Sequence, residues 1–261
     1  MTEAVAQNLA GQTAVVTGGT RGIGAMIARA LLEAGAKTYI TSRKEAACAQ
    51  TQAELSDFGE CIAHPSDLST TAGIEAFVDW LTQREDKIDI LFNNAGATWG
   101  QAIDELTEDG WDRVMNLNVK SMFFTTQKML PLLRAGAKLS GAGRVVNIGS
   151  IDGLTVPVLP SNIVYPVSKA AVHQLTRVLA KALVDDQITV NAIAPGPFKS
   201  KMTSFALATE EGEKMVASTI PMKRIGTPED IGALALFLVT GGSSYITGAT
   251  IPLDGGYSTL R

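Results

Sequence analysis

The stretch "TAVVTGGTRGIGAMIARALLEAG" (13–35) decides the predicted fold. An apolar run at 13–17 leads into Gly18, Gly22 and Gly24 and then into an amphipathic helical pattern. Glycines permit a tight turn and close backbone approach, and the helix N-terminus that follows offers unpaired N–H groups to a phosphate. The spacing is TGxxxGxG rather than GxGxxG, but its place after a first strand predicts the pyrophosphate turn of a dinucleotide-binding fold.

The rest of the chain repeats the same pattern: a short apolar run, a turn and a helical stretch. Most runs are apolar throughout, as expected for parallel strands covered on both faces. This alternation predicts an α/β fold, a doubly wound (Rossmann) seven-stranded parallel sheet flanked by helices on both faces. The seven runs are "TAVVT" (13–17), "KTYIT" (37–41), "CIAH" (61–64), "IDILF" (88–92), "RVVNI" (144–148), "ITVNAI" (188–193) and "TIPL" (250–253).

The length of 261 residues suits one α/β domain, so a single dinucleotide-binding and catalytic domain over 1–261 is expected. The stretch 196–227 follows the sixth run, has no regular pattern and carries two small hydrophobic clusters. Long loops after a strand's carboxyl end are usually functional, so this stretch is predicted to be a substrate lid. The helix predicted at 228–239 is apolar almost all round, which suggests a subunit interface and a homo-tetramer or homo-dimer.

Composition narrows the possible partners. A net charge of −4 without Lys/Arg clusters argues against nucleic acid and membrane surfaces. Cys48 and Cys61 form no metal-binding pattern, and His64 and His173 have no carboxylate motif beside them, so no metal site is predicted. The polar N-terminus lacks a signal pattern and the longest apolar run is short, so a cytoplasmic protein is expected.

Charge near the second strand predicts the choice of dinucleotide. In NAD-binding folds a carboxylate about 20 residues after the glycine turn bonds the ribose 2′-hydroxyl. Here that place holds Ser42 followed by Arg43, while Glu45 falls in the next helix and Arg21 lies inside the glycine turn. Two guanidinium groups suit a 2′-phosphate, so the predicted cofactor is NADP(H). The residues predicted around it are Gly18, Thr20, Arg21, Gly22, Ile23, Gly24, Ser42 and Arg43.

The segment "YPVSK" (165–169) places Tyr165 one helical turn before Lys169. A free tyrosine has a pKa near 10 and is a poor acid or base at neutral pH. An ammonium close by is expected to lower that pKa and to tune Tyr165 for proton transfer.

With these motifs the chain resembles the short-chain dehydrogenase/reductases over residues 9–257. Segments at 97–100, 194–203 and 220–230 look most like the 3-oxoacyl-carrier-protein reductases, especially the type associated with rhamnolipid biosynthesis. The "PVLPSN" segment (157–162) makes the Ser150–Tyr165 spacing longer than the family norm. The motifs that carry the resemblance are "TGGTRGIG" (17–24), "DL" (67–68), "NNAG" (93–96), "NLNVKSMF" (116–123), "VVNIGS" (145–150), "YPVSK" (165–169) and "APGP" (194–197).

The resemblance implies a role for each matching position. Ser150, Tyr165 and Lys169 should carry out the chemistry, and Asn118 should support a proton-relay water. Asp67 and Leu68 should border the adenine. The other implied cofactor contacts are Asn94, Ala95, Gly96, Tyr165, Lys169, Pro195, Gly196, Phe198 and Ser200.

The activity that the resemblance implies is NADPH-dependent reduction of 3-oxoacyl thioesters. Two alternatives stay open: a reductase of sugar acids, small ketones or cyclic alcohols, and a nucleotide-sensing protein without turnover. Fold alone does not choose among them. Trp99 follows the "NNAGAT" segment and either packs or reaches the substrate cleft.

Overall fold

The computed structural model describes residues 8–157 and 161–258 and confirms the predicted sheet. Seven parallel strands pair in the order β3-β2-β1-β4-β5-β6-β7. The strands are β1 Thr13–Thr17, β2 Lys37–Ser42, β3 Cys61–Pro65, β4 Ile90–Asn93, β5 Gly143–Ile148, β6 Ile188–Pro195 and β7 Thr250–Leu253. The order reverses direction between β1 and β4, so their carboxyl ends open the crevice where such sheets bind ligands.

Nine helices occur in the described residues. They are α1 Gly22–Glu33, α2 Glu45–Leu55, α3 Thr71–Thr82, α4 Glu108–Met115, α5 Ser121–Ser140, α6 Val164–Leu183, α7 Ser204–Leu207, α8 Glu210–Thr219 and α9 Pro228–Val239. A π-helical turn, Asn116–Lys120, joins α4 to α5.

Two hydrophobic clusters cover the two faces of the sheet. One cluster joins the strands to α1 and α9 through side chains such as Ile27, Leu31 and Leu238. The other joins them to α3, α5 and α6 through side chains such as Phe77 and Leu133. Because both faces are buried, the strands are apolar on both sides, as their sequence pattern predicted.

Helix α9 begins and ends where the sequence predicted. The Thr227 side chain and the Asp230 carboxylate form a reciprocal capping box, and Pro228 takes the first position. Only one side of the helix is buried against the sheet and α1; Ala233 and Phe237 are exposed. The homo-tetramer or homo-dimer therefore stays a prediction, and this exposed apolar strip is where a second copy would be expected.

The stretch 196–227 is more regular than its sequence suggested, because it contains α7 and α8. Thr209 caps α8 by accepting a hydrogen bond from the N–H of Gly212. Both helices are short, and α8 has no fully buried side chain. None of the helices in the described parts of the chain is long and apolar enough to cross a membrane.

Candidate active site

The glycine turn of residues 18–24, called the phosphate cradle below, lies at the carboxyl end of β1. Gly18 and Gly22 have φ values of +63° and +54°, a conformation that side-chain-bearing residues rarely adopt. A Cβ at Gly24 would overlap the Gly18 carbonyl oxygen and the Asn94 side-chain nitrogen. No side chain caps the N-terminus of α1. The first-turn N–H groups are therefore left for an external acceptor, which suits a pyrophosphate.

Asn94 holds the phosphate cradle from the neighbouring strand. Its side-chain Nδ2 donates to the carbonyl oxygens of Thr17 at 2.9 Å and Gly18 at 3.1 Å. The backbone N–H groups of Asn94 and Ala95 both donate to Thr17 Oγ1, at 2.9 and 3.0 Å. These bonds fix the end of β4 to the end of β1. The sequence motif pointed to Asn94 and Ala95, whereas the part played by Thr17 was not predicted.

The second strand ends in a basic surface, as predicted. Arg21 and Arg43 are exposed, and neither guanidinium forms a hydrogen bond or ion pair with the described residues. Glu45 lies in the first turn of α2, as the sequence indicated. Asp67 lies close enough for Arg43 to lower its pKa, although hydrogen bonds from Ser69 lower that pKa more strongly. Arg21 and Arg43 are therefore free for a phosphate that reaches this end of the sheet.

Ser150, Tyr165 and Lys169 come together beside the carboxyl end of β5. Ser150 lies two residues after the end of that strand, and Tyr165 and Lys169 lie in the first turns of α6. Lys169 Nζ is 5.6 Å from the centre of the Tyr165 ring and donates to the Ile148 carbonyl oxygen at 2.7 Å. The predicted trio thus lies close together at the carboxyl edge of the sheet.

The pKa of Tyr165 differs from the one that the sequence predicts. Burial raises the pKa of Tyr165 to about 12, with a hydrogen bond to Ser150 acting in the opposite direction and the charge of Asp152 adding to the rise. Burial also lowers the pKa of Lys169 to about 8. The expectation that Lys169 lowers the pKa of Tyr165 is wrong for this arrangement, because desolvation by burial raises that pKa. At neutral pH the phenol keeps its proton, which suits a proton donor.

Asn118 lies in the π-helical turn, with its side chain fully buried. Its amide accepts from the N–H of Ala97 at 2.7 Å and donates to the Ala97 carbonyl and to Ser168 Oγ, both at 2.9 Å. Ser168 in turn donates to the Tyr165 carbonyl at 2.6 Å. The amide is occupied by protein groups, so support of a water by Asn118 would use its backbone. Ser168, the link to α6, was missed by the sequence reasoning.

His173 was dismissed from sequence, but it lies beneath Ser150. Its Nε2 faces the Ser150 backbone N–H at 3.5 Å, and the side chain is buried. Burial and the positive charge of Lys169 lower the pKa of His173 to about 4, so the ring is neutral at pH 7. It follows Lys169 by four residues, and this one-turn spacing was the signal available in the sequence. His64 instead packs on Trp80, with ring centres 4.1 Å apart.

The base of the lid closes over the phosphate cradle. A Cβ at Gly22 would lie 3.1 Å from the Ser200 Cβ, so the two segments are in contact. Phe198 is buried against Gly226, and Gly196 lies against Asp254. Trp99 has a packing role in the described residues: its indole N–H donates to Gln101 at 2.6 Å. The "PVLPSN" segment falls partly on residues 158–160, which lie outside the described residues.

The crevice lies where the strand order reverses, between β1 and β4. The phosphate cradle lies at this edge of the sheet, and so do Ser150, Tyr165 and Lys169. This arrangement is typical of a dinucleotide-dependent oxidoreductase. Comparison with known proteins then gives the family. The profile described as "Enoyl-(Acyl carrier protein) reductase" matches residues 18–258. The chain belongs to the short-chain dehydrogenase/reductase family, as the motifs predicted.

Individual relatives cover almost the whole chain. The rhamnolipids biosynthesis 3-oxoacyl-[acyl-carrier-protein] reductase of Pseudomonas aeruginosa is 46% identical over 96% of this chain and 97% of its own. A 2-dehydro-3-deoxy-D-gluconate 5-dehydrogenase of Dickeya dadantii is 35% identical, over 96% of both chains. The solved "RhlG/NADP active-site complex" of Pseudomonas aeruginosa has a TM-score of 0.93 and 45% identity, over 98% of this chain and all of that one.

Proposed function

We propose that this protein is an NADPH-dependent reductase that converts 3-oxoacyl thioesters to 3-hydroxyacyl thioesters. The observation that carries the proposal is a half-buried, protonated Tyr165 beside Ser150 and Lys169, at the same edge of the parallel sheet as the phosphate cradle. The thioester substrate is suggested by the name of the 46%-identical Pseudomonas relative. The oxidoreductase class follows from the family, whereas the substrate is the part that needs a direct test.

The cofactor site fits NADP. The phosphate cradle offers uncapped N–H groups to the pyrophosphate, and Arg21 and Arg43 offer charge to the 2′-phosphate. Asp67 and Leu68 would border the adenine, and Asn94, Ala95 and Gly96 would line the crevice. Pro195, Gly196, Phe198 and Ser200 would flank the nicotinamide, and Lys169 would bond the ribose. When bound, NADPH supplies the hydride.

Side chains of the protein would then donate a proton and a hydrogen bond to the substrate carbonyl oxygen. Tyr165 would donate its proton to the carbonyl oxygen, since its raised pKa keeps that proton in place until charge develops there. Ser150 would donate a hydrogen bond to the same oxygen, an oxyanion-stabilising role. His173 would hold the Ser150 backbone from below, because its neutral Nε2 can accept the Ser150 N–H.

The lid, residues 196–227, is proposed to receive the acyl group. Phe205 and Met215 are 77% and 71% exposed on α7 and α8, so the lid presents apolar side chains without a protein partner. Such side chains favour a lipophilic substrate over a polyhydroxylated one. The proposal that 1–261 forms a single domain agrees with the one sheet that spans the described chain from β1 to β7.

Arg43→Asp is expected to shift cofactor preference from NADPH toward NADH. The change removes a charge-assisted bond to the 2′-phosphate and adds a carboxylate that can accept from a ribose hydroxyl. The ratio of kcat/KM for NADPH to that for NADH should fall by ~10²-fold, on the order of two charged hydrogen bonds. Lys44→Asp, at the adjacent exposed residue, is the matched control. An unchanged ratio in Arg43→Asp would mean that Arg43 is only a solvated charge.

A substrate panel tests the proposed activity. Oxidation of NADPH is followed with acetoacetyl-CoA and a longer 3-oxoacyl thioester, beside small ketones and sugar acids. Thioesters are expected to have the highest kcat/KM, with the longer chain preferred because the exposed lid side chains can cover it. Turnover confined to small ketones or sugar acids would keep the mechanism and discard the substrate. NADPH binding with no turnover of any carbonyl would contradict the proposal altogether.

The second candidate, a sugar-acid dehydrogenase, has one specific observation in its favour. The 35%-identical relative from Dickeya dadantii is named for a keto sugar acid, and it too spans nearly the whole chain. The two candidates differ in substrate charge: a sugar acid carries a carboxylate, and the acyl part of a thioester does not.

A further inference from the structure

Asp152 is an acidic residue at the reacting centre that the proposed mechanism leaves without a part. It belongs to a short helical turn, Ile151–Gly153, that begins immediately after Ser150. Its backbone N–H donates to Ser150 Oγ at 3.1 Å. A Cβ on Gly153 would lie 2.6 Å from the Lys169 carbonyl carbon, so the turn packs tightly on α6. Asp152 is thereby fixed between the serine and the helix that carries Tyr165.

The Asp152 carboxylate has no partner in the described parts of the chain. No hydrogen-bond donor or cation there contacts its side-chain oxygens, and the residue is only partly exposed. Burial raises its pKa, and its charge is felt by Tyr165, whose pKa it raises. A carboxylate that is neither paired nor fully solvated acts strongly on any other charge placed beside it, because the local dielectric is low.

The cations on the elements around Asp152 do little to offset the charge of its carboxylate. Within the described part of the chain, Lys169 is the one buried cation on α6, whereas Arg177 is exposed; the Lys169 amine donates to the Ile148 carbonyl and is partly deprotonated near pH 8. His173, on the same face, is neutral at pH 7. On the lid, Lys199 is paired with Glu213. An anionic group next to the reacting carbonyl would therefore face an unneutralised carboxylate.

We infer that Asp152 is a specificity-determining residue that selects against substrates with a carboxylate close to the reacting carbonyl. Esters and thioesters mask that carboxylate, so they escape the repulsion that free 3-oxo acids meet. This inference deepens the proposed function, on which it rests for the position of the reacting carbonyl.

The test compares one 3-oxo compound in two charge states. The kcat/KM for NADPH-dependent reduction is measured for acetoacetate and for its ethyl ester, with the wild type and with Asp152→Asn. The wild type should prefer the ester. Asp152→Asn should lower the ester-to-acid ratio by ~10- to 100-fold, mainly by improving the acid, since like charges at close range are strongly disfavoured. If acetoacetate turns over too slowly to follow, its inhibition constant against the ester supplies the same comparison.

Two further variants make the result decisive. Asp152→Ser removes the same charge with a different shape, so it covers a failure of Asp152→Asn to fold. Asp185→Asn removes an exposed carboxylate just beyond the far end of α6 and should keep the wild-type ratio. A ratio that stays within two-fold of wild type in both Asp152 variants overturns the inference, as does a wild type that prefers the acid. If thioesters fail in the substrate panel while Asp152→Asn still shifts this ratio, the proposed function fails alone.

Discussion

Tyr165→Phe is expected to lower kcat by ~10²–10⁴-fold while leaving NADPH binding nearly intact. The change removes one hydroxyl, whose proton would pass to the substrate oxygen. The ring is half-buried on α6 and lies beside Ser150 and Lys169, so it should keep its place without the hydroxyl. The measurement is single-turnover reduction of a thioester with saturating NADPH, beside a fluorescence titration of NADPH.

Tyr245→Phe is the matched control, because it also removes a phenolic hydroxyl, but from a fully exposed side chain. It should retain wild-type kcat. A loss below about five-fold in Tyr165→Phe would mean that another group or water delivers the proton, and the assignment of Tyr165 would have to be withdrawn.

Gly24→Ala should weaken NADPH binding by on the order of 100-fold or prevent stable folding. The added Cβ would overlap the Gly18 carbonyl oxygen and the Asn94 side-chain nitrogen. Neither group can move freely, because Asn94 also bonds the Thr17 carbonyl at 2.9 Å. Overpacking of this kind costs about 1–3 kcal/mol, and here it distorts the turn that receives the pyrophosphate. Titration with NADPH and thermal unfolding with and without NADPH measure the two effects separately.

Gly241→Ala is the control for this change, since a Cβ there meets no atom within 4 Å and the backbone has no positive φ. It should bind NADPH like the wild type. Normal affinity in Gly24→Ala would show that the phosphate cradle tolerates a side chain and that its tight turn is not needed for the cofactor.

The sheet could be predicted because its signals are local. Each strand is a short apolar run bounded by turn residues, and β1 and β7 have the bounds that the sequence indicated. Helix α9 was equally clear, since Thr227, Pro228 and Asp230 act within one turn of each other. The two helices of the lid were not predicted; they have only four and ten residues, which is short for recognition from a pattern.

The motifs predicted which residues form the site, but not the hydrogen bonds that hold those residues in place. Ser150, Tyr165 and Lys169 stand in recognisable segments, but the bonds that hold them come from residues to which the motifs assigned no role. His173 and Ser168 reach the site only because α6 packs against the end of β5 and the π-helical turn. The direction of the Tyr165 pKa also depends on burial, which spacing along a helix does not reveal.

The bonds between Asn94 and Thr17 bear on how the chain acquires its shape during synthesis. Neighbouring strands of this sheet are parallel, so no two are joined by a hairpin and every pairing waits for a crossover to be made. Strand β1 leaves the ribosome early, yet one of its two neighbours is β4, more than 70 residues later. Until β4 emerges, the turn after β1 lacks the amide that holds its carbonyls. A nascent chain that ends before Asn94 therefore has the glycine motif without the rigid nucleotide-binding turn.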